Sequence, residues 1–169
     1  MAAGIGISSL SGCQSARSVA GRAVSWIPGF HGSSQASENP AAQKVVKARG
    51  LELDLRLAPS PVSLSETRRI DATLRLRNRS SRFLQLEFPT TQRFEMLLRD
   101  DRGKTLVQWS EDQAFEPTPC VVGINPGEHV EYHAALSLRD VQPGGHYTVL
   151  AFFPNREDLK AELPLEPRK

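Results

Sequence analysis

The sequence predicts an all-β protein: an immunoglobulin-like antiparallel β-sandwich of about seven or eight strands, preceded by a flexible N-terminal segment. Three observations predict it. From Leu51 onward, apolar and polar residues alternate with a period of two. Turn signals built from Asn, Asp, Pro and Gly punctuate the alternating runs at short intervals. No long stretch carries the i, i+3, i+4 apolar spacing of an amphipathic helix.

The elements follow in order. "LELDLRL" sets Leu51, Leu53, Leu55 and Leu57 on one face and Glu52, Asp54 and Arg56 on the other, the pattern of a half-buried strand. "RIDATLRLRN" repeats it, with Ile70, Ala72, Leu74 and Leu76 inward. Asn78 to Ser81 reads as a turn. Leu84, Leu86 and Phe88 form the next inward set, until Pro89 removes a ladder donor and ends the strand. Phe94, Met96 and Leu98 follow, then a hairpin on Asp100-Asp101-Arg102-Gly103, with glycine at the position that needs positive φ. Val107 and Trp109 lie on one side of the return strand. Asn125-Pro126-Gly127-Glu128 carries the Pro and Gly of a type II turn. Val130 to Leu138 alternates as a long strand, Pro143-Gly144-Gly145 turns, and Tyr147 to Phe153 alternates again. Leu159 to Leu163 is the last expected strand.

The totals fit one domain with a leading tail. The chain has 169 residues, 39% of them apolar, and a net charge of +2. That balance implies no strongly charged partner. No apolar run reaches the about 18 residues of a spanning helix. Three parts are expected: a signal-like segment at 1–13, a flexible linker at 14–49 rich in Ser, Ala, Gly and Gln, and a sandwich at 50–166. Asn39 to Gly50 is read as linker with a short helical turn.

Leu10-Ser11-Gly12-Cys13 resembles the lipobox of bacterial lipoproteins. By that resemblance, Cys13 is the lipidation site, and the protein is a membrane-anchored lipoprotein of the cell envelope; Gln14, not Asp, follows it, which favours an outer membrane. The alternative is a small-residue terminus with an incidental cysteine, which leaves the protein cytoplasmic. No Lys or Arg precedes Cys13 and the apolar stretch is short, so the true start is expected upstream. With Cys13 acylated, Cys120 has no pairing partner and is expected to be a buried or loop thiol.

No catalytic, cofactor-binding or metal site is expected. His129 and His133 are separated by about 13 Å on a strand, too far to share an ion. Glycine-rich phosphate loops and G-x-S-x-G are absent. Arg69, Arg75, Arg77, Arg79, Arg82 and Arg93 make a locally basic surface, diluted by Asp71, Glu87 and Glu95, and nucleic acid is not the expected partner.

An ordered set of residues carries a more specific resemblance. Leu86, Phe88, Gln92, Phe94 and Glu95 come first, then Asp101 and Gly103, then Trp109, Ser110 and Phe115. Pro126, Gly127, Glu128 and Tyr132 follow, and then Pro143, Gly144, Tyr147 and Val149. In this order they resemble the intracellular proteinase inhibitor, or BsuPI, family. The chain departs from that pattern at His133-Ala134-Ala135-Leu136 and at "EPTPCVVGIN", which reads as an insertion of its own. The resemblance implies a non-enzymatic protein-binding module, or an inhibitor of a serine proteinase. Most of the matched residues are expected to build the fold. The expected contact loops are Pro89-Thr90-Thr91-Gln92 and Glu116 to Asn125, with Pro117 and Pro119 as contact residues of the second and Cys120 or Pro119 stiffening it.

Overall fold

The computed structural model describes residues 41–169. Twelve strands run in order: β1 (Ala42–Ala48), β2 (Leu51–Ala58), β3 (Val62–Ser63), β4 (Arg69–Asn78), β5 (Leu84–Phe88), β6 (Glu95–Asp100), β7 (Thr105–Gln108), β8 (Cys120–Ile124), β9 (His129–Ser137), β10 (Tyr147–Phe153), β11 (Arg156–Leu165) and β12 (Pro167–Arg168). A single 3-10 turn, Trp109–Asp112, follows β7, and no α-helix occurs among the described residues.

Two four-stranded antiparallel sheets form the sandwich. The first has the order β1-β2-β4-β9 and the second β11-β10-β6-β7. Two ribbons complete it, an antiparallel β5-β8 pair and a short parallel β12-β3 pair. The all-β expectation holds, with eight strands where the alternation places them and four more, β1, β3, β8 and β12, besides.

The alternation explains the core. Leu53, Leu55 and Leu57 of β2 and Ile70, Leu74 and Leu76 of β4 face inward and are buried. They meet Met96, Leu98, Val149, Ala151 and Phe153 of the second sheet in one cluster. Each fully buried leucine contributes roughly 2 kcal/mol relative to exposure. Gly103 (φ 78°) and Gly127 (φ 81°) occupy the positive-φ positions that the turn sequences require. The Asp100 side chain closes its own hairpin by accepting from the N–H groups of Arg102 and Lys104, at 3.0 and 2.8 Å.

Four expectations are corrected. Residues 42–48 are neither linker nor helical turn. They form β1, paired along its whole length with β2. Its sequence, AQKVVKA, reads as tether because an edge strand facing solvent needs few apolar residues. Residues 120–124 are not loop: β8 pairs with β5, burying Cys120, Val122 and Ile124. Trp109 opens the 3-10 turn and is not part of β7. Glu95, read with Asp71 and Glu87 as diluting the basic surface, is buried.

Candidate functional site

Glu95 is buried because polar groups surround it. Its carboxylate accepts from Gln92 Nε2 at 3.0 Å, Gln108 Nε2 at 3.2 Å and the Ser110 N–H at 3.2 Å. The Ser110 hydroxyl and the Met96 N–H donate to it as well. A buried carboxylate without such donors would be costly; with five it is a fixed node. It ties the segment after β5 to β6, to β7 and to the 3-10 turn. Beside it runs a chain of rings. Phe94 stacks on Trp109 at 4.1 Å and on Tyr132 at 5.0 Å, and Trp109 meets Phe115 at 5.9 Å. Gln92, Phe94, Glu95, Trp109, Ser110 and Phe115, read separately from the sequence, thus converge on one assembly.

That assembly supports the expected loops. Pro89 is exposed, and Thr90, Thr91 and Gln92 are half-buried; Pro117 and Pro119 are exposed. The structure joins the two segments. Thr91 N–H donates to the Glu116 carbonyl at 3.1 Å, and Glu116 N–H donates to Thr91 Oγ1 at 2.9 Å. Thr90 Oγ1 accepts from Gln92 N–H at 3.2 Å. Both segments leave the same end of the β5-β8 ribbon, where Phe88 faces Cys120. Sequence reasoning found both loops but not their contact, because the pairing of β5 with β8 that brings them together was not visible in "CVVGI". The second loop is accordingly shorter than expected, ending at Pro119.

Another corner is pinned by Asn78, which is fully buried. Its Nδ2 donates to the carbonyls of Arg82 and Ile124 at 2.7 and 2.9 Å, and its Oδ1 accepts from Ser80 N–H and Oγ. It holds the β4-β5 and β8-β9 turns in register.

The remaining candidates separate. His133 lies on the exposed face 3.2 Å from Glu131 and 3.1 Å from Thr73 Oγ1. No cluster of His, Cys, Asp or Glu among the described residues could hold a metal ion. The basic residues do not form one surface. Arg75, Arg77 and Arg79 share a concave face with β1 and β2, whereas Arg69 lines a different hollow with Trp109 and Gln113. Arg82 lies in the β4-β5 turn, and Arg93 precedes β6. Cys120 is not the expected thiol; it is disulfide-bonded. Cys13, the expected lipidation site, lies outside the described residues, as do residues 1–13 and most of the expected linker.

The family model for BsuPI, intracellular proteinase inhibitor, matches residues 58–158. The match runs from the end of β2 into β11 and takes in the Glu95 assembly and both loops. No curated protein matches the chain. Among solved structures, the N-terminal domain of PorA aligns at 13% identity over 73% of this chain and 82% of that one, with a TM-score of 0.28. So low a score carries no argument.

Proposed function

Because the chain belongs to the intracellular proteinase inhibitor family, we propose that it is a non-enzymatic β-sandwich whose partner is a proteinase, engaged through the joined segments Pro89–Gln92 and Glu116–Pro119. The observation that carries this reading is the pair of hydrogen bonds between Thr91 and Glu116. An inhibitory loop must enter a cleft and resist being turned over. A loop held in shape before binding loses little entropy on docking. Here two proline-bearing segments brace each other. Val121, 59% exposed beside Pro119, adds an apolar contact to the same end of the ribbon.

The test is titration of serine proteinases of the subtilisin and trypsin types with the full chain, following cleavage of a peptide substrate. Stoichiometric loss of activity, weakened by Thr91→Val, is the expected result. Full proteinase activity at saturating chain, together with cleavage of the chain within 116–119, would mark the segments as substrate and sink the reading.

The address is a separate proposal. The lipobox-like residues around Cys13 support an envelope-anchored protein, and its partners would then be envelope proteins. The disulfide at Cys120 supports an oxidising compartment as well. The two features compete chemically, since a chain with two cysteines can use Cys13 as an acyl carrier or as a disulfide partner of Cys120, not as both. Intact mass of the native protein separates them: three added acyl chains on a product starting at Cys13, or an unmodified oxidised chain.

A further inference from the structure

The outward face of the first sheet presents an open concavity of about 640 Å³ across β1, β2 and β4. Five cations line it, Lys47, Arg56, Arg75, Arg77 and Arg79, against two carboxylates, Glu52 and Asp54. Those carboxylates are already engaged. Glu52 accepts from Arg79 at 2.9 Å and lies 4.0 Å from Lys47. Asp54 pairs with Arg56 at 3.3 Å and takes two hydrogen bonds from Gln43. Among the described residues, no carboxylate pairs with Arg75 or Arg77. Their Nε atoms are buried and have no hydrogen-bond partner among the described residues. Glu131 stands opposite Arg75 in the strand register but bonds His133.

The guanidinium groups of Arg75 and Arg77 line the open concavity without a carboxylate of their own, so an oxygen ligand bound there would complete them. Burial and the nearby Arg75 charge also hold His129 below the usual histidine range, in keeping with a positive field over β4 and β9. Arg75 and Arg77 are two residues apart on one strand, so their stems are about 6.6 Å apart. Carboxylates at alternate positions of an extended peptide have the same spacing. Residues 1–40 hold one acidic residue, Glu38, so the chain's own N-terminal segment does not supply the pattern.

We propose that this face binds an extended acidic segment of a partner protein, with alternate carboxylates on Arg75 and Arg77. Guanidinium suits the task, because its planar fork takes a carboxylate through two parallel hydrogen bonds. The face is separate from the loops at 89–92 and 116–119, so its occupancy and proteinase inhibition are separable.

The experiment is calorimetric titration of the full chain at low salt with acetyl-(Ala-Glu)₃-amide, its (Ala-Gln)₃ counterpart and inorganic phosphate. The Glu peptide should bind about tenfold or more tightly than the Gln peptide, with phosphate weaker than the Glu peptide. Arg75→Gln with Arg77→Gln should lose that preference, and the Lys pair should keep only part of it. Should the Gln pair fail to fold, the Arg75 and Arg77 Nε–H resonances of the unaltered chain give the answer, shifting with the Glu peptide and not with the Gln peptide. Absence of Glu-peptide binding, unshifted Nε–H resonances, unchanged affinity in a folded Gln pair, or phosphate binding as tight as peptide would each overturn the proposal.

Discussion

The assembly around Glu95 and the face around Arg75 and Arg77 are both half-hidden polar regions of one sandwich, yet they end in opposite states. At Glu95 a charge is taken out of water and five donors meet it. At Arg75 and Arg77 the charge is positive, and buried donors are left without acceptors. Polar groups satisfied within the chain hold its shape. Charged groups that line an open face without an internal counter-charge are available to something else. The residues on which the sequence resemblance rests, Gln92, Phe94, Glu95, Trp109 and Ser110 among them, fall in the first class. Their presence therefore speaks for a common scaffold more than for a common contact.

The largest way to break the contrast is Glu95→Ala. It strands the donors of Gln92, Gln108 and Ser110 in a buried site, and should cost about 3 kcal/mol in urea unfolding. A cost near zero would mean that water reaches the site and that the node is decorative. Asn78→Ala should cost about 2 kcal/mol, because the carbonyls of Arg82 and Ile124 lose their donor.

Tyr132 sharpens the comparison from the other side. Its ring packs on Phe94 and Phe153, but its hydroxyl is buried without a hydrogen-bond partner among the described residues. Tyr132→Phe should be neutral or stabilising, by up to about 1 kcal/mol at neutral pH. Burial holds the Tyr132 hydroxyl above its ordinary value. The folded chain thus keeps a proton that the unfolded chain releases above about pH 10. Its share of stability is present below that pH and is lost as pH rises toward the folded value. Alkaline unfolding curves of Tyr132→Phe should show a shallower decline than those of the parent. The smallest effect belongs to Arg75→Gln with Arg77→Gln, which should change stability by about 0.5 kcal/mol or less, since no internal partner is lost. A loss of several kcal/mol would place these arginines among the scaffold residues.

Most of this scaffold is legible in the sequence, and the reasons are physical. Leu51 to Leu57 and Ile70 to Leu76 lie in central strands with one buried face, so their alternation is strict. Gly103 and Gly127 are legible because positive φ narrows the choice of residue. The illegible parts share the opposite property. Strand β1 is an edge strand exposed on most of its length, and its pattern is mixed with lysine and glutamine. Strand β8 is five residues long and follows two prolines, so nothing local distinguishes it from a loop. Glu95 is hidden by groups remote in sequence, Gln108 and Ser110, which periodicity cannot report. The candidate loops were visible as proline-bearing breaks, but their union through Thr91 and Glu116 depends on the β5-β8 pairing and appears only in three dimensions.

The most direct test of the division between scaffold and contact is the inhibition constant for a serine proteinase, measured on three folded proteins at a temperature where all are native: the parent, Glu95→Gln and Thr91→Val. The parent should inhibit, Glu95→Gln should inhibit about as well despite lower stability, and Thr91→Val should be weaker by about tenfold. Loss of inhibition in Glu95→Gln with Thr91→Val unaffected, or a parent that inhibits no serine proteinase, would contradict that division.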